Sequence, residues 1–444
     1  MADIPLLAHR SPSAPLAWRN GRQITALDFL GDVRALCERL PPVGHVLNVC
    51  ADRYRFAVGL AACLLGGRAT LLPPTHTPEV IRQVAAFAPD AICLTDDPRC
   101  EIDLPKVHAG AESRTAASAW DVPAIDPRQL AAIVFTSGST GVPVPHRKTW
   151  GRLAACVRDG AERLGLQDGR RHTLVGTVPP QHMYGLESTV LLPLQSGNAF
   201  VAERPFYPAD VAAALAAAPR PRALITTPVH LRALLAADLE LPAVDLIVSA
   251  TAPLAGDVAA QAERRFRSAL IEIYGSTETG QIATRRTVAT DRWRLWPGVN
   301  LDDRGDRAFA QGGHLEQRTP LCDVVERTGG DEFLLHGRTE DLVNIAGKRS
   351  SFAHLNHQLN AIPGVVDGVF FLREGERTGT TGVARLAAVV VAPTLDAATL
   401  TERLRERIDT AFLPRPLLFV ERLPRNSTGK LPRHALSALI AGER

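Results

Sequence analysis

The sequence predicts an α/β protein with a large N-terminal domain (1–339) and a small C-terminal domain (340–444). Three observations predict it. Between residues 45 and 273, short apolar runs alternate with alanine-rich helical stretches, the pattern of parallel strands joined by helical crossovers. From about Asp291 that alternation gives way to short strands and turns, marked by Gly312-Gly313 and Gly329-Gly330. At 444 residues the chain is also long for one hydrophobic core.

The elements follow in order. His45-Val-Leu-Asn-Val-Cys50 reads as a strand, Tyr54 to Leu65 as a helix, and Ala69-Thr-Leu-Leu72 as a strand. Pro78 to Ala88 reads as a helix and Ala91-Ile-Cys-Leu94 as a strand. Ala131-Ala-Ile-Val-Phe135 is a buried strand. The alternation resumes with a strand at Ala223–Thr226, a helix at Pro228–Ala237, a strand at Leu246–Val248, a helix at Gly256–Arg267 and a strand at Leu270–Ile273. Beyond Gly337-Arg338 come strands near Gly368–Leu372 and Leu386–Val391, a helix from Leu395 to Phe412, and a strand at Leu417–Val420.

Composition narrows the function classes. A formal net charge of +3 is too close to neutral to argue for nucleic acid or an anionic membrane, and the arginines are not interleaved with aromatics. Seven cysteines form no C-x-x-C pair and sit mostly in apolar segments, which reads as reduced thiols of a cytoplasmic protein. The N-terminus shows no signal-peptide pattern. The longest apolar run, Phe56 to Gly67, is about half the ~20 residues of a membrane span. The preference for arginine and alanine is that of a GC-rich bacterial genome.

Only four lysines occur: Lys106, Lys148, Lys348 and Lys430. Where arginine serves almost everywhere, a retained lysine marks a place that wants a compact point charge on a flexible stem. Lys430 follows the turn-forming string Asn426-Ser-Thr-Gly. Upstream, the strand ending at Phe135 runs into Thr136, Ser137, Gly138, Ser139, Thr140 and Gly141, whose hydroxyls and glycines let backbone donors approach an anion. This is not the P-loop of NTPases, because Val142-Pro143-Val144 follows. The strand ending at Ile273 runs into Tyr274, Gly275, Ser276, Thr277 and Glu278. There Thr277 offers a hydroxyl to phosphate, Glu278 a hard oxygen for Mg²⁺, and Tyr274 a face for a purine. The same string alone reads equally as a loop with a helix N-cap. A carboxylate at Asp323 can bridge two ribose hydroxyls with Arg338 adding a donor; alone, each reads as surface charge.

Together these strings resemble the adenylate-forming superfamily of acyl-CoA synthetases, luciferases and peptide-synthetase adenylation domains. The resemblance rests on FTSGSTG (135–141), PPQHMYG (179–185), YGSTE (274–278), Asp323, GRTEDLVNIAGKR (337–349) and NSTGK (426–430), in the family's order over about 300 residues. It implies mixed and parallel sheets flanked by helices in the large domain and a small, mobile α+β domain hinged at Glu340. It also implies ATP and Mg²⁺ as cofactors and a pantetheine thiol, of CoA or an acyl carrier protein, as acceptor. By resemblance the loop 136–141 holds the β,γ-phosphates, Thr277 the α-phosphate, Glu278 the magnesium, and Asp323 with Arg338 the ribose. His182 lies beside the acid's carboxylate, in a pocket with Met183, Tyr184, Ser249, Ala250 and Thr251, and Lys430 bridges the attacking carboxylate and the α-phosphate. Tyr184 is placed to bond a ring hydroxyl.

Two departures stand out. The family's loop continues Pro-Lys-Gly where this chain has Pro143-Val144-Pro145, leaving His146, Arg147 or Lys148 to supply the charge. The N-terminal domain is also about a hundred residues short, a trimming shared with compact relatives that load aromatic acids onto carrier proteins. The expected function is therefore activation of an acid such as a hydroxybenzoate and transfer to a carrier protein. An aryl- or acyl-CoA synthetase, an amide ligase and a non-catalytic nucleotide-binding regulator are the alternatives.

Overall fold

A computed structural model describes residues 2–110, 120–137, 143–303, 307–338, 342–345, 348–372 and 386–425, with Leu431 and Leu436. Two large sheets organise the first 338 residues. The first has six strands in the order Pro143–Thr149, Leu130–Ser137, Ala69–Leu72, His45–Asn48, Ile92–Thr95, Lys106–His108. All its pairings are parallel except that of the edge strand Pro143–Thr149. The second has eleven strands. Its parallel centre runs Leu270–Ser276, Leu246–Ser249, Arg222–Thr226, Thr173–Gly176, Ala199–Val201, Pro15–Arg19, and antiparallel strands extend it on both sides.

Buried runs such as Leu246-Ile-Val-Ser249, covered on both faces, are what a parallel sheet demands. One continuous apolar cluster joins both sheets through the helices between them. Phe29 and Leu30 come from helix Ala26–Arg39, Phe56 and Leu60 from Arg53–Leu65, and Trp150 and Leu153 from Trp150–Arg163. Helix Ala26–Arg39 starts on a capping box, Thr25 and Asp28 exchanging side-chain and backbone bonds.

One cation is sealed inside this core. Arg53, wholly buried, donates Nε to Thr189 Oγ1 (3.1 Å), Nη1 to the carbonyls of Val201 (2.7 Å) and Glu203 (2.9 Å), and Nη2 to those of Gly176 (2.8 Å) and Val178 (3.1 Å). It ties the helix after the first sheet to two strands of the second. Burial pulls its guanidinium down to about 10.

Beyond Lys348 the described residues build a separate apolar cluster. Helices Phe352–Asn360 and Ala397–Arg405 pack Leu355, Leu359, Leu400 and Leu404 against Phe370, Ala388 and Val390 of a three-stranded sheet. The helix expected from Leu395 to Phe412 is shorter, Ala397–Arg405, with a separate 3₁₀ turn at Thr410–Phe412. Asp409 caps that turn by accepting from Ala411 N–H, a local bond that competes with helix continuation. The edge strand Pro143–Thr149 escaped the sequence reading because Pro143 and Pro145 argue against a strand, yet edges tolerate proline. Among the described residues no helix is long and apolar enough to cross a membrane.

Candidate active site

A cavity of about 350 Å³ opens at the C-terminal ends of the central strands of the second sheet, where α/β proteins place ligands. It gathers Thr136, His182, Met183, Tyr184, Ala250, Thr251, Asp323 and the whole run Tyr274–Glu278. Ser249 is wholly buried at the end of its strand and does not line the cavity. Gly138, Ser139, Thr140, Gly141, Glu340 and Lys430 lie outside the described residues, and Ser137 and Arg338 are described only in their backbone. A second cavity, beside Arg39 and Tyr54, holds none of the predicted residues.

The YGSTE string is a hairpin rather than a loop leading to a helix. Leu270–Ser276 pairs antiparallel with Gly280–Arg285, with a bulge between Tyr274 and Gly275. The turn is locked twice: Ser276 N–H donates to Thr279 Oγ1 (3.0 Å) and Thr279 N–H donates to Ser276 Oγ (3.2 Å). Gly275 is required by crowding, since a Cβ there would lie 2.2 Å from the Gly280 carbonyl oxygen. The locked turn presents Thr277 and Glu278 to the cavity.

The edge strand brings an imidazole and an ammonium to that turn. His146 Nε2 lies 3.0 Å from Thr136 Oγ1 and 3.7 Å from Glu278 Oε1. Lys148, two residues on and so on the same face, donates Nζ to the Glu278 carbonyl at 3.0 Å. Arg147 points to the exposed side. Burial pulls both His146 and Lys148 below their ordinary values. For Glu278, burial opposes ionisation, but bonds from its own backbone N–H and from Ser276, with His146 and Lys148 beyond, hold the carboxyl below the usual range. It is an ionised hard-oxygen donor at neutral pH.

The ribose candidates meet across a strand pair. Asp323 and Arg338 are register partners on Asp323–Gly329 and Glu332–Arg338. Tyr274 donates its hydroxyl to Asp323 Oδ2 at 2.7 Å, while its ring packs against Trp293 and Phe333 at 5.6 and 5.7 Å between centroids. On the opposite wall, His182 caps a short helix by accepting the Tyr184 N–H at Nδ1 (3.2 Å). That bond fixes the tautomer with the proton on Nε2, so the ring presents a donor suited to a carboxylate. Tyr184 gives its own hydroxyl proton to the buried Val248 carbonyl (3.1 Å), which leaves its oxygen as an acceptor for a ring hydroxyl.

Among the lining residues not anticipated are Glu187 and Gln281, while Lys148, one of the three candidates for the missing loop charge, is the one whose ammonium reaches the Glu278 carbonyl. Glu187 carried a signal, being the one acid in the apolar run from Met183 to Leu194.

Residues 42–303 match the family model described as AMP-binding enzyme, more than half of the chain. The chain belongs to that family. It is 31% identical over 303 residues to a 4-coumarate–CoA ligase of Rhodobacter capsulatus, covering 67% of this chain and 74% of the relative. It is 29% identical to an isonitrile lipopeptide synthase of Streptomyces coeruleorubidus, covering 95% of this chain but 32% of that larger protein. In fold it matches the o-succinylbenzoate CoA synthetase of Bacillus subtilis solved with its acyl-adenylate, at a TM-score of 0.81, 18% identity and 98% coverage of both chains. The adenylate-forming recognition and the α/β architecture drawn from the sequence stand with these matches, as does the enzyme class, an AMP-forming acid–thiol ligase.

Proposed function

We propose that this protein activates an aromatic carboxylic acid with ATP and passes the acyl group to the pantetheine thiol of an acyl carrier protein. The observation that carries the reading is convergence. The locked Ser276–Thr279 turn, the Tyr274–Asp323 pair and the His182 donor face one cavity at the strand ends.

A carboxylate is a poor electrophile, so its oxygen attacks the α-phosphorus of ATP, pyrophosphate leaves, and an acyl-adenylate forms. The thiol then attacks the acyl carbon and AMP departs. In this reading His182 Nε2–H orients the carboxylate, Thr277 and the loop 136–141 hold phosphate oxygens, and Asp323 with Arg338 holds the ribose. Among the described residues no cluster of three His, Cys, Asp or Glu could cage a metal. A magnesium ion would instead bind through Glu278 and complete its shell with phosphate oxygens and water, the usual habit of that ion. Bound there, it neutralises phosphate charge. Lys430 brings a second cation to the point where two anions meet. One cation about 4 Å away at an effective dielectric near 20 supplies roughly 4 kcal/mol, on the order of a thousandfold in rate.

The cavity's volume suits one ring, and the relatives named for 4-coumarate and 4-chlorobenzoate act on aromatic acids by name. Carrier-protein transfer is supported by the near-complete alignment to a segment of a lipopeptide synthase. Free CoA as acceptor is the second reading, favoured by the relatives named as CoA ligases. Pyrophosphate release across benzoates, cinnamates and fatty acids, followed by CoA or holo carrier protein, separates the two. Lys430→Ala is expected to lower adenylate formation about a thousandfold while thioester formation from supplied acyl-adenylate survives. Equal loss in both half-reactions would contradict the assignment.

A further inference from the structure

Glu187 and Gln281 have no part in the chemistry above, yet both line the cavity and are 1% and 4% exposed. Glu187 sits on a wide π-type turn, Leu186–Leu191, a distortion that recurs where helices serve a site. Its Oε1 accepts the weak Cys156 thiol at 3.2 Å, and the backbone and side chain of Gln281 also bond the carboxyl. Gln281 gives Nε2 to Ser188 Oγ (2.7 Å), and its Oε1 has no hydrogen-bond partner among the described residues. Lys148 contributes field at Glu187, but its ammonium donates to the Glu278 carbonyl. Space is kept clear beside the carboxylate: a Cβ at Gly280 (φ +70°) would lie 2.7 Å from Glu187 Oε1. Burial pushes the Glu187 carboxyl up to about 7. A buried acceptor without a donor, as Gln281 Oε1 is, is costly, and a ligand that supplies a donor there and a counter-charge to Glu187 is selected over one that does not.

We infer that the acid substrate carries an amino group at the end remote from its carboxylate, received by Glu187 and Gln281. The inference rests on the reading that the cavity binds the acid with its carboxylate at His182. His182 caps the short helix Met183–Gly185 and Glu187 lies five residues on in the π-type turn, and both line the one cavity of about 350 Å³. That volume accommodates one aromatic ring between carboxylate and amine. An amine also has protons for both acceptors, whereas a hydroxyl has one.

The test is calorimetric titration of the full chain, with a non-hydrolysable ATP analogue present, by 4-aminobenzoate, 3-aminobenzoate, 4-hydroxybenzoate and benzoate. The better aminobenzoate is expected to bind about thirtyfold more tightly than benzoate and more tightly than the hydroxy acid. Glu187→Leu should reduce that ratio to about threefold without weakening benzoate, Gln281→Leu should reduce it in part, and Glu187→Gln, which keeps a carbonyl oxygen, should restore most of it. Benzoate or the hydroxy acid binding as tightly as either amine, no binding of either amine, or a ratio unmoved in Glu187→Leu overturns the inference. Selective amine binding without pyrophosphate release from ATP would sink the adenylation reading and leave this site standing. Release with benzoate preferred would do the reverse.

Discussion

Replacing Tyr274 by phenylalanine isolates one contact in the half of the site proposed to hold the nucleotide. The hydroxyl ends on Asp323 Oδ2 at 2.7 Å, while the ring's packing against Trp293 and Phe333 survives the change. A hydrogen bond to a charged acceptor contributes about 1.5–3 kcal/mol, and partial exposure of both residues argues for the lower end. About 1.5 kcal/mol spent on orienting the carboxylate corresponds to about tenfold in nucleotide affinity. Tyr274→Phe is therefore expected to raise the Kd for AMP and the KM for ATP about tenfold and to leave kcat within about twofold, because the bond is made in ground and transition states alike. Calorimetry with AMP and steady-state pyrophosphate release measure the two sides. Tighter AMP binding would refute the reasoning, for it would mean that Tyr274 occupies an oxygen the ribose needs. A tenfold fall in kcat at constant KM would refute it as well.

Arg53→Met strands three buried carbonyls and a part-buried fourth and should cost roughly 3–5 kcal/mol of stability, read from denaturant unfolding; a loss under about 1 kcal/mol would show that water or repacking satisfies them. Glu187 is held at about 7 in the folded chain against an ordinary 4.5, so its contribution to stability is whole below pH 4.5 and lost as pH rises through 7. Glu187→Gln should accordingly gain roughly 3 kcal/mol on the wild type near pH 8 but not near pH 4.5, and an equal gain at both would contradict the assignment. Glu340→Pro should spare pyrophosphate release and damage thioester formation if that residue is the hinge; survival of both steps removes the hinge.

Most of the parallel core was legible because strand and helix periods differ and buried strands are uniformly apolar. The strands expected at 69–72, 223–226 and 386–391 appear within a residue of their anticipated bounds. What escaped was set by tertiary pairing rather than local preference. Pro143–Thr149 is a strand only because Leu130–Ser137 offers it an edge, and Tyr274–Ser276 extends its strand only because Gly280–Arg285 folds back on it. A side-chain cap at Asp409, invisible to apolar periodicity, interrupts the last helix.

Scarcity treats the four lysines alike, but the structure separates the two whose side chains it describes. Lys106 is exposed on an edge strand and reaches only the Leu104 carbonyl (3.5 Å). Lys148 is half-buried, and its ammonium stands among Glu278, Glu187 and Glu316. An arginine at 148 would carry a planar fork into a space that offers one carbonyl oxygen, so the compact ammonium is the cation that fits. Val144, where the wider family places its loop lysine, pairs in register with Thr136, and His146 and Lys148 follow on the same strand face, an imidazole and an ammonium beside Glu278. The ammonium of Lys148 is built into the sheet edge beside Glu278, on the turn that the Ser276–Thr279 bonds lock, and we propose that it serves in place of the family's loop lysine.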